Sequence, residues 1–291
     1  MNDPGSTPTG PTPAQIVAMI GLLGDDDVPI AAAARERLVQ WGELATGPLR
    51  EGAEAESLRI RSRCRGVLRA IEMRRDLLRL CTLRLGRTGR SPAAPLLEGA
   101  LLLARLVRTF VPSVDELSAM LRREAAALRP SLGGRSLPTC ARLLAERLHD
   151  HLGLRGGDAS SGDPDHVAID RVLASRVGAP VTLSLVYLLV ARQAGLSVAG
   201  VALPDHFLVR LHGVRPVLVD PYHAGRTITK ADCARYLRAN GHHPVRDLLR
   251  DLSDREVLLH YLEALQRATA DAPASAARDA LARARTMLGA H

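Results

Sequence analysis

Aromatic residues are scarce in this chain. One Trp, four Tyr and two Phe make up 2% of its 291 residues, while apolar residues together reach 46%. The core must therefore be aliphatic, built from Leu, Val and Ala, and few rings are left for stacking on nucleobases. Lysine is rarer still: Lys230 stands alone against 38 arginines, in a chain of net charge +8. That excess can be read as a phosphate-binding surface or as a codon bias that writes Arg for Lys. The arginines are spread over many helical segments and interleaved with Asp and Glu, which favours the second reading and leaves nucleic-acid binding as a distant one. Of the four cysteines, Cys64, Cys81, Cys140 and Cys233, no two form a CxxC pair or a metal-ligand spacing. Each falls in an apolar helical context, as reduced, buried thiols do. Histidines at 149, 151 and 166 surround a polar loop, and His242 and His243 are adjacent, but no HxxxH or HExxH spacing exists. Neither a metal nor a cofactor is expected. The longest apolar run, 181–191, is interrupted by Thr182, Ser184 and Tyr187. It falls short of the ~20 residues a bilayer span needs. No basic stretch followed by an apolar run opens the chain, so the expectation is a cytoplasmic protein with no membrane segment.

Along the chain, residues 1–13 are mostly Pro, Gly, Thr and Ser and read as a disordered tail. Helical patterning fills 14–84, with Gly24 suited to end a first helix and Asp25, Asp26 and Asp27 placed ahead of the next. A weak repeat at an offset of thirty aligns Val28, Ile30, Ala34, Arg35 and Leu38 with Leu58, Ile60, Cys64, Arg65 and Leu68. Its spacing puts the apolar positions on one helical face and resembles the HEAT-type repeat. Residues 85–95 are rich in Gly, Pro and Ser and read as a linker. Helices resume beyond it, one opened by a capping box at Ser113 and Glu116. After a core at 96–245, residues 246–291 hold two helices that can pair as a hairpin, the first capped by Ser253 and Glu256. Lys230 lies in a further helix framed by Thr229 and Asp232.

The centre of the chain is the stretch 178–222. Pro180 suits the first turn of a helix that runs to Ala194 and ends at Gly195. It is apolar nearly all round and so should be buried. VAGVAL and HFLVRLH read as strands, the latter with Phe207, Val209 and Leu211 on one face and His206, Leu208 and Arg210 on the other. His212-Gly213 suits a tight turn, VRPVLVD a returning strand, and Asp220-Pro221 its stop. A residue at a helix N-terminus, a His and an Asp make the outline of a nucleophile, base and orienter: Thr182, His206 and Asp220.

The segments DPDHVAIDRVLASRVGAPVTLSLVYL, LPDHFLVR and LVDPYHAG together resemble the transglutaminase-like (papain-like) fold, in its SirB-type bacterial branch, over about residues 95–245. The resemblance implies a core with a small antiparallel sheet and a TPR-like helical pair after it; with the HEAT-like helices that the repeat suggests before it, the expectation is an α+β, mostly helical protein. In active members a Cys at the head of the buried helix attacks an acyl group, a His on the next strand is its base and an Asp on the following strand orients that His. By the resemblance His206 is the base and Asp220 the orienter. The departure is at the nucleophile, since residues 178–184 contain no cysteine. Three readings stay open for Thr182: a first-turn hydrogen-bonding residue in a degenerate core, a true nucleophile of an amide hydrolase or acyl transferase, or a bystander in a pocket that binds a peptide without turnover. The first and third make the chain a regulatory or protein-interaction module with a protein or peptide partner. Asp205, Arg210, Tyr222 and His223 are further candidates for the pocket lining, each weaker than the three central residues.

Overall fold

A helix buried on every side organises the larger part of this fold. The computed structural model describes residues 10–87, 89–108, 111–157, 163–243, 249–270 and 276–289. Most of the expected tail, the middle of the polar loop at 153–166, the Pro after His243 and the break before the last helix lie outside the described residues. The chain forms two compact units, 1–78 and 79–291, dividing inside a long helix and ahead of the 85–95 stretch expected as a linker.

The first unit holds α1 (Pro13–Leu22), α2 (Val28–Trp41), α3 (Glu43–Gly52) and most of α4 (Leu58–Thr82). Thr12 and Gln15 form a reciprocal capping box at the start of α1. Ile16, Ile20, Leu23, Leu38, Leu49, Cys64 and Val67 make an aliphatic core. The offset-thirty pairing is only partly a buried face. Ala34, Cys64 and Leu38 are inside, but Val28 and Leu58, which begin their helices, are 71% and 72% exposed. Cys81 is exposed rather than buried, while Cys64, Cys140 and Cys233 are buried.

The second unit continues with α5 (Ala93–Val107), α6 (Val114–Leu128) and α7 (Leu137–Ala145), the last running into a π-helical turn at Glu146–His151. Two short strands, β1 (Arg155–Gly156) and β2 (Val177–Gly178), pair in parallel on either side of α8 (Ile169–Ser175). Next come α9 (Pro180–Gln193) and four strands: β3 (Val198–Leu203), β4 (His206–Leu211), β5 (Val217–Asp220) and β6 (Arg226–Ile228). They form one antiparallel sheet in chain order. The chain closes with α10 (Lys230–Ala239), α11 (Asp254–Ala268) and α12 (Ala276–Gly289). Capping boxes at Ser113–Glu116, Thr229–Asp232 and Ser253–Glu256 fix the starts of α6, α10 and α11.

Every residue from Val181 to Ala191 of α9 is buried, and the helix packs against β3, β4, α5, α6 and α11. Two polar side chains on it tie it to its surroundings: Ser184 Oγ donates to Phe207 O at 3.0 Å and Thr182 Oγ1 to Val167 O at 2.7 Å. Near its far end the Arg192 guanidinium meets Asp254 at 2.7 Å, both side chains almost wholly buried. Such a pair stabilises only while both partners remain. Of the C-terminal helices, α11 packs on α5 and α9. Among the described residues, no helix is long and apolar enough to cross a membrane.

Leu203 pairs with His206 across a two-residue turn, in which Asp205 takes φ +52°, a region Asp tolerates better than most residues. The β4–β5 connection is longer than the tight turn expected at His212-Gly213. Leu211 pairs with Val217, so residues 212–216 form the loop.

Candidate functional site

Strand alternation places His206, Leu208 and Arg210 on one face of β4. Leu208 and Leu218 of that face pack with Cys233 and Leu237 of α10. Val209 pairs with Val219, so Asp220 continues the register opposite Leu208, and His206 reaches it diagonally rather than face to face. His206 Nε2 lies 3.0 Å from Asp220 Oδ2. The strand ends at Pro221, and the next turn folds back over the carboxylate. The backbone N–H groups of Tyr222 and His223 donate to Asp220 Oδ1 at 3.1 and 3.2 Å, and His223 Nδ1 lies 2.7 Å from Oδ2. Two imidazoles thus share one carboxylate oxygen.

The turn holds this shape through Gly225, whose N–H donates to Asp220 O at 2.9 Å. Gly225 has φ +68°, and a Cβ there would stand 2.3 Å from Tyr187 Oη. Only glycine satisfies both conditions. Tyr187 Oη itself is buried without a hydrogen-bond partner among the described residues. The Tyr222 hydroxyl donates to Gly157 O, and its ring meets that of His206 edge-on at 5.9 Å. Tyr236 of α10 lies against His206 at 5.8 Å and donates to Pro204 O.

Asp220 is buried, with 4% of its surface exposed. Burial pushes its carboxyl up, but its contacts with His206 and then His223 outweigh this and hold it below the ordinary carboxylate value. Arg210, a sequence candidate for the pocket lining, pairs instead with Asp251 and donates to Leu249 O.

A cavity of about 410 Å³ opens beside His206. Its walls are the head of α9 (the capping residue Ala179 with Pro180 and Val181), the β3–β4 turn with Asp205, and α11, which contributes His260, Glu263 and Arg267. Arg250 and Leu252 complete it. Burial holds His260 below the usual histidine range. Thr182 is not in the wall. It is fully buried and its hydroxyl is bonded to Val167 O. Among the described residues, none that lines the cavity carries a hydroxyl or a thiol. Cys233 and Cys140 lie in the core, where burial pushes both thiols up, away from the thiolate.

The sequence candidates therefore separate. His206, Asp220, Tyr222 and His223 come together, and Asp205 borders the cavity beside them. Thr182 and Arg210 are engaged elsewhere. The cavity residues of α11 carry no signal in the sequence, because they reach the site only through the packing of α11 on α9. His223 was recognisable as the second member of an Asp-x-x-His step starting at Asp220.

These features define an α+β protein in which a buried helix backs a four-stranded antiparallel sheet carrying a His–Asp pair. A family model for the transglutaminase-like superfamily matches residues 110–263, more than half of the chain. The chain belongs to that superfamily. It is similar to a UPF0162 protein of Xylella fastidiosa strain 9a5c, 32% identical over 154 residues, which cover 50% of this chain and 52% of that protein. A UPF0162 protein of strain Temecula1 is 33% identical over 144 residues, covering 46% and 48%. F-box only protein 21 of Mus musculus is 30% identical over 95 residues, covering 30% of this chain and 15% of that protein. The chain spans about half the length of the bacterial relatives. No solved structure gives a significant match.

Proposed function

We propose that this chain is a SirB-type member whose transglutaminase-like core serves as a regulatory, peptide-binding module. In this reading the N-terminal helices are a HEAT-like support and the C-terminal helices a TPR-like pair, of which α11 forms one wall of the site. The observation that carries the proposal is the commitment of Thr182. Its hydroxyl is fully buried and donates to Val167 O at 2.7 Å, while the helix head facing the cavity presents Ala179, Pro180 and Val181. An acyl transfer needs a nucleophile within reach of its base, and among the described residues neither a hydroxyl nor a thiol lines the cavity.

The cavity does suit a peptide. Ala179, Val181, Phe207 and Leu252 offer apolar wall, and Arg267 offers a guanidinium group to a carboxylate. The 3.0 Å contact of His206 with Asp220 favours a second reading, an amide hydrolase or acyl transferase using Thr182, but that requires Thr182 to leave Val167. The test is fluorescence anisotropy with labelled acidic and neutral peptides. Saturable binding of acidic peptides, weakened about tenfold or more by Arg267→Ala at unchanged melting temperature, is expected for one lost charged contact. Binding that is absent, or indifferent to Arg267, overturns the reading.

A further inference from the structure

The His–Asp pair leaves His223 unexplained. A base and its orienter need one imidazole on one carboxylate. Here a second imidazole, from an exposed turn, lies on the same oxygen, Asp220 Oδ2, that His206 already occupies. It adds nothing to the orientation of His206 and competes with it for the same lone pairs. The other oxygen, Oδ1, is fixed by two backbone N–H groups, so the carboxylate cannot turn to serve the two rings separately.

The charge balance raises the same difficulty. Asp220 is buried, and a buried carboxylate needs a compensating positive group. Among the described residues, no arginine or lysine nitrogen lies within ion-pair distance of it; its ion-pair neighbours are His206 and His223. A divalent cation in place of the shared protons would supply the charge and give both imidazoles a purpose.

We propose that His206 Nε2, Asp220 Oδ2 and His223 Nδ1 form a binding site for a zinc-class divalent transition-metal ion. The three donor atoms lie within 4.8 Å of one another. Metal–ligand bonds of about 2.0–2.1 Å place neighbouring donors roughly 3.0–3.4 Å apart. The His206–Asp220 separation of 3.0 Å already fits, and that of His223, at 2.7 Å, is opened by a small swing of its exposed ring. Two imidazoles and one carboxylate suit zinc and its neighbours, whereas calcium and magnesium require more oxygen donors. The backbone N–H groups on Oδ1 orient the carboxylate from behind, as outer partners of metal ligands do. Three protein ligands leave further positions open to water or to a ligand group. The spacing 206–220–223 matches no short metal motif, because strand pairing rather than a helix turn brings His206 to the other two.

The site shares the His206–Asp220 pairing with the peptide-binding reading, but metal titration reads it without any peptide, so either can fail alone. The test is to strip the full chain with chelator and titrate it at pH 7.5 with cobalt(II), followed by its visible d–d bands, and with zinc in competition. One saturable site per chain is expected, with zinc raising the melting temperature of the wild type. His223→Ala, at a side chain 56% exposed, should weaken binding at least about tenfold, and His206→Gln should do the same, each in a protein shown by circular dichroism to be folded. Replacing His242 and His243 together should leave binding unchanged. Absence of saturable binding, survival of full affinity in both His223→Ala and His206→Gln, or loss of binding in the His242/His243 variant overturns the proposal.

Discussion

Replacing Thr182 by Val is the substitution that separates a structural hydroxyl from a catalytic one. The two side chains have the same shape, and the site is fully buried. Thr182 Oγ1 is the donor that satisfies Val167 O, at 2.7 Å, beside the start of α8. Valine leaves that carbonyl buried without a partner, which costs about 1–3 kcal/mol. In a chain of this size each kcal/mol moves the melting temperature by about 2–4 °C, so a central value of about 2 kcal/mol corresponds to a fall of roughly 4–8 °C. Thr182→Ser keeps the donor and loses one methyl group, for a smaller loss of about 1 kcal/mol. Thermal melts followed by circular dichroism, with urea denaturation as a second measure, should rank wild type above Ser and Ser above Val. A Thr182→Val protein that melts within about 1 °C of wild type would refute the assignment of this hydroxyl to the fold, since an unpaired buried carbonyl cannot cost so little.

Two further substitutions follow from the same accounting of polar groups. Tyr187 Oη is buried and unpartnered among the described residues, so Tyr187→Phe removes a desolvated hydroxyl and should leave stability unchanged or raise it by up to about 1 kcal/mol in urea melts; a loss of 2 kcal/mol or more, at about the cost of a broken buried hydrogen bond, would show an unseen partner. Glu256 is held down to about 2, first by its hydrogen bond to Arg250, against burial and with help from Ser253. Its folded pKa lies below its unfolded value, so its stabilisation is complete above about pH 4.3 and fades as pH falls toward 2. Glu256→Gln should therefore lower stability by roughly 1 kcal/mol at pH 7, discounted for exposure, with the gap to wild type closing as pH falls toward 2. A gap that stays constant across that range contradicts the linkage.

Much of the second unit was legible in the sequence for physical reasons that act locally. Helix α9 announced itself because no face of 181–191 is polar. The β4–β5 pairing followed from β-branched alternation, and the starts of α6, α10 and α11 from their capping boxes. The His206–Asp220 pairing could be anticipated because each ends a strand, though its diagonal geometry depends on a register that the loop 212–216 sets. The rest required the third dimension. Nothing near Thr182 in the chain marks Val167 as its acceptor, fifteen residues away. Arg267 and His260 reach the cavity only because α11 packs on α9, a contact that local patterning does not carry. The three-residue strand β6 is too short to show a period. In the first unit, the repeat predicted a buried face that Val28 and Leu58, the first residues of their helices, leave exposed.

The central claim is that the cavity beside His206 holds a peptide without cleaving or joining it. The direct measurement is mass spectrometry of an acidic peptide library incubated with wild type, His206→Ala and Thr182→Ser, scoring products and covalent adducts alongside peptide retention. Retention by wild type with no hydrolysed or transferred product and no adduct on Thr182 is the predicted result. A product that disappears with His206→Ala, or an acyl adduct on Thr182, would contradict it.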